Sequence, residues 1–468
     1  MKNVFILLFL LPFTALAQQN YSTSIDNFMQ AQVAVNNFNG NVLVAKAGKV
    51  IYQKAFGYRN YDTKQLLDTN SVFELASVSK QFTAMGILML LEKGKLSLTD
   101  SLRKFFPQLP YKGVTIQNLL THTSGLPDYM TAMENKWDHK KIAFNDDMIN
   151  FLASEKVPAN FAPGKKFEYS NTGYAILASI IEKVSGLTYR YFMYKNIFVP
   201  LRMDHSQVYN TRRSTKDTIA NYAYGFVFAD SLKKYVLPDS LTKDDVVFYL
   251  DGIEGDGTIN STTGDLLKWD QALKNHSLLG LATQNEMLST QSLMDTVTKK
   301  YYGYGVSIGA DQFGVVISHS GGWPGYHTIL TRYPVKDVTI IILSNNESDV
   351  SSIAYGITGI LFDMKVALPY VHKEIAVDAT ILNRYLGSYS RKLQTLTLSF
   401  DIIKKDGKLY RHQNGIADVE LKPESNTRFF YADGTDRQIE FETDKTGKVT
   451  GGWFINTGVR SELHKAKK

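Results

Sequence analysis

The chain has 468 residues, 44% of them hydrophobic and 12% aromatic, enough to bury a large core in one to three domains and unlike a disordered composition. It has no cysteine, which excludes disulfides, a cysteine nucleophile, thiolate metal sites and a lipid-anchored cysteine. The formal charge of +7 comes from scattered lysines and arginines, with no basic stripe interleaved with aromatics, so nucleic acid is not an implied partner.

The first residues read MKNVFILLFLLPFTALAQQN. Lys2 supplies a charged start, residues 4–11 an apolar core, and Ala15-Leu16-Ala17 a small-residue cleavage site. This is the pattern of a secretory signal peptide over residues 1–17, so the mature chain is expected to be exported, periplasmic or secreted. No later stretch reaches the roughly 18 apolar residues of a membrane span. Residues 22–37 fit an amphipathic helix with Ile25, Phe28, Met29, Val33 and Val35 toward a core. Residues 41–58 read as a β-hairpin around Ala47-Gly48-Lys49.

The stretch FELASVSKQFTAMGILMLLEKGK, residues 73–95, predicts a helix starting at or just before Ser77 and stopping at Gly94. Phe82, Met85, Leu88, Met89 and Leu91 occupy more than one face, as in a helix surrounded by protein. Ser77 and Lys80 are three apart and share a face, which sets an amine beside a hydroxyl. A serine is a poor nucleophile alone, and a buried amine that is neutral part of the time can take its proton.

Residues 115–129, TIQNLLTHTSGLPDY, start as a short helix and break at Ser124-Gly125-Leu126-Pro127. Residues 147–153 form another short helix. Tyr169-Ser170-Asn171 reads as a loop before a helix over 174–184, and a further helix over 263–273 is capped near Ser261 or Thr262. Residues 315–319, 327–333 and 338–343 read as strands joined by turns at 321–325 and 334–337, pairing with the N-terminal hairpin in one antiparallel sheet. A helix over 352–362 closes on that sheet. From residue 382, short alternating runs separated by turns at 405–407, 432–434, 444–447 and 456–458 predict a small all-β barrel.

Three elements stand in order: Ser77-x-x-Lys80, Tyr169-Ser170-Asn171 and His319-Ser320-Gly321. With LLTHTSGLPDY, PGKKFEYSNTGYAILASIIEKVSG and DGTINSTTGDLLKW between them, the chain resembles the class C β-lactamase and penicillin-binding-protein-like serine hydrolases over roughly residues 25–360. The resemblance implies an α+β fold of β-lactamase/transpeptidase type: an antiparallel sheet of N- and C-terminal strands flanked by helices, with a helical insert. The expected organisation is a signal peptide at 1–17, a hydrolase domain at 18–370 and a β-rich domain at 371–468.

By the same resemblance, Ser77 is the acylated nucleophile, Lys80 assists proton transfer and Tyr169 is a candidate base. Asn171 orients Lys80 and the substrate amide, and the oxyanion hole uses the backbone N–H groups of Ser77 and Gly322. His319, Ser320 and Gly321 are candidate substrate contacts. His319 stands where the strict family motif has lysine, so a permanent cation for a substrate carboxylate is replaced by a mostly neutral side chain. That favours an esterase or D-amino-acid peptidase over a β-lactamase or D-Ala-D-Ala carboxypeptidase. For His319 itself, orienting Tyr169, binding substrate and a structural role all stay open. His122 is read as part of a structural loop, and His327 as either a pocket or a core residue.

No close metal-ligand spacing is present and no cofactor is implied. The Gly255-Asp256-Gly257 segment lacks the flanks of a phosphate loop. The expected partner is a small-molecule or short-peptide substrate, peptidoglycan-derived peptides being one class, and the oligomeric state is open. Two rivals remain: a catalytically silent protein that holds peptidoglycan peptides in the same cleft, and a C-terminal barrel that is itself the ligand-binding part.

Overall fold

A computed structural model describes residues 12–210, 219–393 and 396–466, with side chains from Tyr21 onward. The expected leader therefore lies largely outside the described residues. Helix α1 (Pro12–Asn36) leads into the hairpin β1 (Gly40–Lys46) and β2 (Lys49–Phe56). The helical middle contributes α2 (Lys80–Glu92), α3 (Ile116–Leu120), α4 (Asn171–Ser185) and α5 (Thr263–Lys274). Six strands follow: β3 (Ser292–Asp295), β4 (Lys300–Tyr302), β5 (Ser307–Asp311), β6 (Gly314–Trp323), β7 (Tyr326–Tyr333) and β8 (Val338–Ser344). Helix α6 (Val350–Leu361) closes this part.

The eight strands form one antiparallel sheet in the order β3-β4-β5-β6-β7-β8-β1-β2, with β1 between β8 and β2. Period-two alternation divides β1 and β8 between two cores. Val42, Val44, Ile340 and Ile342 pack with Ile25, Phe28 and Met29 of α1 and Ile353 and Ile357 of α6. Leu43, Ala45, Ile341 and Leu343 face the other way, onto α2, α4 and Trp269. The catalytic candidates lie on this second side.

Two details differ from expectation. The sheet extends through β3, β4 and β5, short strands whose runs of three to five residues are too brief to show a period. Gly321, Gly322 and Trp323 are strand rather than turn: β6 pairs with β7 as far as Trp323↔Tyr326, leaving Pro324-Gly325 as the tight connection.

The C-terminal part starts with α7 (Ala379–Arg384) and continues as β9 (Gly387–Leu393), β10 (Leu396–Lys405), β11 (Lys408–Gln413), β12 (Ile416–Pro423), β13 (Arg428–Tyr431), β14 (Arg437–Thr443), β15 (Val449–Asn456) and β16 (Val459–Lys465). These strands close as a barrel, β9 pairing with β16. The barrel has its own core, in which Tyr385, following α7, stacks on Phe441 at 4.2 Å between ring centroids. The β15–β16 turn docks on the N-terminal part: Ala367 N–H donates to the Gly458 carbonyl at 3.0 Å, and Val459 abuts Gly359 of α6. Among the described residues no helix is long and apolar enough to cross a membrane.

Candidate active site

Ser77 lies in a 3-10 turn, Ala76–Ser79, that runs directly into α2 at Lys80. From residue 71 to residue 88 every residue is buried except Ser77. The turn is fixed from three sides. Thr328 of β7 donates to the Leu75 carbonyl at 2.7 Å, Leu75 N–H donates to the Ile259 carbonyl at 2.8 Å, and Ile259 N–H donates to Ser79 Oγ at 3.1 Å. Ala76 has φ 47°, a left-handed conformation that costs a side chain about 1–2 kcal/mol and is held here by its surroundings. Gly321 of β6 passes so close that a Cβ there would sit 2.2 Å from the Leu75 carbonyl oxygen. This close approach brings Gly322 to the same cleft as Ser77.

Lys80 is fully buried, and its Nζ meets three oxygens: Ser77 Oγ at 3.0 Å, Asn171 Oδ1 at 2.8 Å and the Asp256 carbonyl at 2.8 Å. An ammonium can donate to all three. A neutral amine can donate to Asn171 and the carbonyl, which only accept, and turn its lone pair to the Ser77 hydroxyl. The same geometry serves both protonation states, so the serine proton can cross to Lys80 without rearrangement. Asn171 proves to be the first residue of α4 rather than part of a loop, with Ser170 as N-cap accepting from Gly173 N–H at 3.1 Å. That gives Asn171 a helix as its base, which a flexible loop would not.

Tyr169 is 39% exposed, and its ring centroid lies 4.9 Å from Lys80 Nζ. Its neighbour His122 is a buried residue of the loop after α3. His122 accepts from Ser170 N–H through Nδ1 at 3.0 Å, which leaves the ring proton on Nε2, where it has no hydrogen-bond partner among the described residues. The ring sits among Tyr169, Tyr302 and Tyr174 at 4.3, 4.5 and 5.1 Å between centroids. Burial, then the charge of Lys80, pushes its pKa well below the ordinary range, so it is neutral. His122 thus positions the Tyr169-Ser170-Asn171 segment.

His319 is buried and is not among the residues lining the cleft, with its ring centroid 6.2 Å from that of Tyr169. Nδ1 donates to the Ser320 carbonyl at 2.7 Å, and Nε2 accepts from the Tyr302 hydroxyl at 2.9 Å. Burial, aided by Lys80, pushes it down to about 3. Ser320 is exposed and Gly321 lies buried beneath the Ser77 turn. None of the three lines the cleft, so the third motif shapes the site from behind. His327 stays outside the cleft as well; its Nδ1 donates to the Ser348 carbonyl at 3.0 Å.

The cleft is lined by Ser77, Asn171, Gly322 and Trp323 together with Glu74, Tyr129, Asp251 and Asp256. Among the described residues, no lysine or arginine lines it. Asp256 accepts from the Tyr129 hydroxyl at 3.0 Å; burial raises its pKa and Lys80 opposes that rise. The spacing of Gly255-Asp256-Gly257 excludes a phosphate loop and does not by itself point to the amine. A signal was there in Gly255, at φ 106°, where a Cβ would strike Ala178 of α4 at 2.4 Å. The segment is a pressed loop whose carbonyl holds the amine.

Comparison with known proteins agrees with this geometry. The family profile described as Beta-lactamase matches residues 25–361. The chain is 42% identical over 420 residues to penicillin-binding protein 4* of Bacillus subtilis (strain 168), covering 88% of this chain and 92% of that one. Among solved structures, the octameric penicillin-binding protein homologue from Pyrococcus abyssi superposes with a TM-score of 0.66 at 25% identity, covering 94% of this chain and 99% of that one. The D-amino acid amidase from Ochrobactrum anthropi SV3, solved with L-phenylalanine amide, superposes with a TM-score of 0.62 at 23% identity, covering 73% and 99%.

Proposed function

The chain belongs to the beta-lactamase family of serine hydrolases, and from that premise we propose that it cleaves an ester or amide bond, of the esterase or D-amino-acid peptidase type, through an acyl intermediate on Ser77. The observation that carries this reading is the Lys80 amine, held by Asn171 and the Asp256 carbonyl 3.0 Å from the one reachable side chain of a buried turn. Ser77 Oγ attacks the carbonyl carbon while its proton passes to Lys80, with Tyr169 beside that amine as the partner in proton transfer. The backbone N–H groups of Ser77 and Gly322 receive the oxyanion. Collapse expels the alcohol or amine, and water then hydrolyses the acyl-enzyme.

A substrate without a carboxylate fits this site best, because the motif that would bring a cation supplies instead a buried, neutral His319. A second reading, acylation by penicillin or cleavage of D-Ala-D-Ala, has the 42%-identical penicillin-binding protein behind it. Export is part of the proposal, resting on the charged, apolar and small-residue segments of 1–17. Steady-state rates on p-nitrophenyl butyrate, a D-alanine amide and nitrocefin discriminate between the readings. The proposal expects kcat/KM on the ester or amide to exceed that on nitrocefin, and the reverse order would move the assignment to the second reading.

A further inference from the structure

The eight barrel strands alternate inward and outward, and the inward positions are apolar along most of their length. One end departs from this. Arg391 lies between the core residues Tyr389 and Leu393 on β9, Arg411 two residues past the core residue Leu409 on β11, and Arg437 two before Ile439 on β14. Period two turns all three inward. All three lie beside the turns at one end of the barrel, within two residues of where β9 and β11 end and where β14 begins. The opposite end is filled by Leu382 and Tyr385.

Each guanidinium sits over an aromatic ring: Arg391 at 4.1 Å from the Phe454 centroid, Arg437 at 4.6 Å from Tyr431 and Arg411 at 5.4 Å from Phe400. A ring covers a guanidinium's face and leaves the in-plane N–H fork free to bind. Among the described residues only Arg437 has a carboxylate, that of Asp433, and Arg411 has the neutral Gln413 amide oxygen. Among the described residues the half-buried Arg391 has no hydrogen-bond acceptor. Among the described residues, three half-buried cations against one anion leave this barrel end net positive, which favours a negative ligand. The groups feel one another: Arg391 is pushed down from its ordinary pKa by burial and by repulsion from Arg411 and Arg437. The Tyr431 hydroxyl, raised to about 12 by burial, is pulled back by all three.

We propose that this end of the barrel is an anion-binding site, taking the oxyanion group of a small carboxylate or phosphate ligand between Arg391, Arg411 and Arg437. Planar forks match such groups in bidentate fashion. The site lies on the α6 side of the sheet, away from Ser77, with Tyr355 of α6 close enough to feel the charge of Arg391. It is separate from the catalytic cleft, and it does not depend on the proposed reaction.

The test is thermal unfolding of the full chain at fixed ionic strength, titrated with sodium citrate or with inorganic phosphate against sodium chloride. The expected result is a saturable rise in Tm of roughly 2 °C or more with at least one oxyanion, the better one naming the ligand chemistry. The variants Arg391→Met and Arg411→Gln should lose that rise, and Arg391→Met should melt higher than wild type in chloride because a repelling cation is gone. If Arg391→Met fails to fold, Arg411→Gln carries the test alone. No saturable rise in wild type, or an equal rise in both variants, would overturn the site. A lower melting point for Arg391→Met in chloride with no anion response in wild type would make the arginines a structural plug.

Discussion

Two cations divide this molecule, one buried and one half-buried. Lys80 is sealed in the hydrolase part with three oxygens for its three donors. Arg391 is drawn into the barrel with the face of Phe454 and no acceptor among the described residues. The difference teaches how to read such a charge. A charge whose partners are complete in the folded chain belongs to built-in chemistry, and one whose partners are missing points outside the chain.

The sharpest way to break that comparison is to remove each charge in turn. Lys80→Met should lower kcat by about 10³-fold on any substrate, in the range for a lost proton-transfer group, whereas Arg391→Met should leave kcat unchanged. Equal losses would show that the two cations belong to one machine. Gly321→Ala should cost about 10²-fold in kcat, because its Cβ collides with the Leu75 carbonyl and shifts the oxyanion donors against Ser77. Circular dichroism would check that the variant is folded, and undiminished turnover would show that β6 does not set the site.

A smaller effect concerns pH. His319 is held neutral with its pKa pushed down to about 3, and His122 is held well below its ordinary value. Their folded pKa values lie below the unfolded value of about 6.5, so the unfolded chain takes up protons first as pH falls. Their contribution to stability is complete above about pH 6.5 and is lost as pH drops toward the folded values. Each should add a slope of about 1.4 kcal/mol per pH unit in that window. Urea midpoints at pH 7, 6 and 5 should show His319→Gln with a shallower fall than wild type. Identical slopes would mean that His319 titrates normally.

Much of this was legible in the sequence, for physical reasons. The hairpin, the central strands and the barrel turns announce themselves by period and by Gly-Asp-Asn chemistry. The Ser77-x-x-Lys80 spacing places amine and hydroxyl together because both sit on one local turn. What stayed hidden is non-local. Asp256 acts through its backbone carbonyl, to which the side chain's identity is irrelevant. His122 matters through rings brought together from residues 169, 174 and 302. Gly321 and Gly322 look like turn residues, and only the tertiary approach of β6 to the Ser77 turn explains glycine in a strand. The barrel arginines are separated by 20 and 26 residues (391 to 411 to 437), and strand closure alone makes them neighbours.

The central claim is that Ser77 carries the acyl group, and intact-protein mass spectrometry tests it most directly. Wild type and Ser77→Ala would be incubated with p-nitrophenyl acetate and butyrate, a D-alanyl peptide and penicillin G. The account predicts a mass increase equal to the acyl group on wild type with an ester or the D-alanyl peptide. It predicts none on Ser77→Ala, whose turnover should fall by at least about 10⁴-fold. An adduct that survives in Ser77→Ala, or turnover that persists in it, would contradict the account.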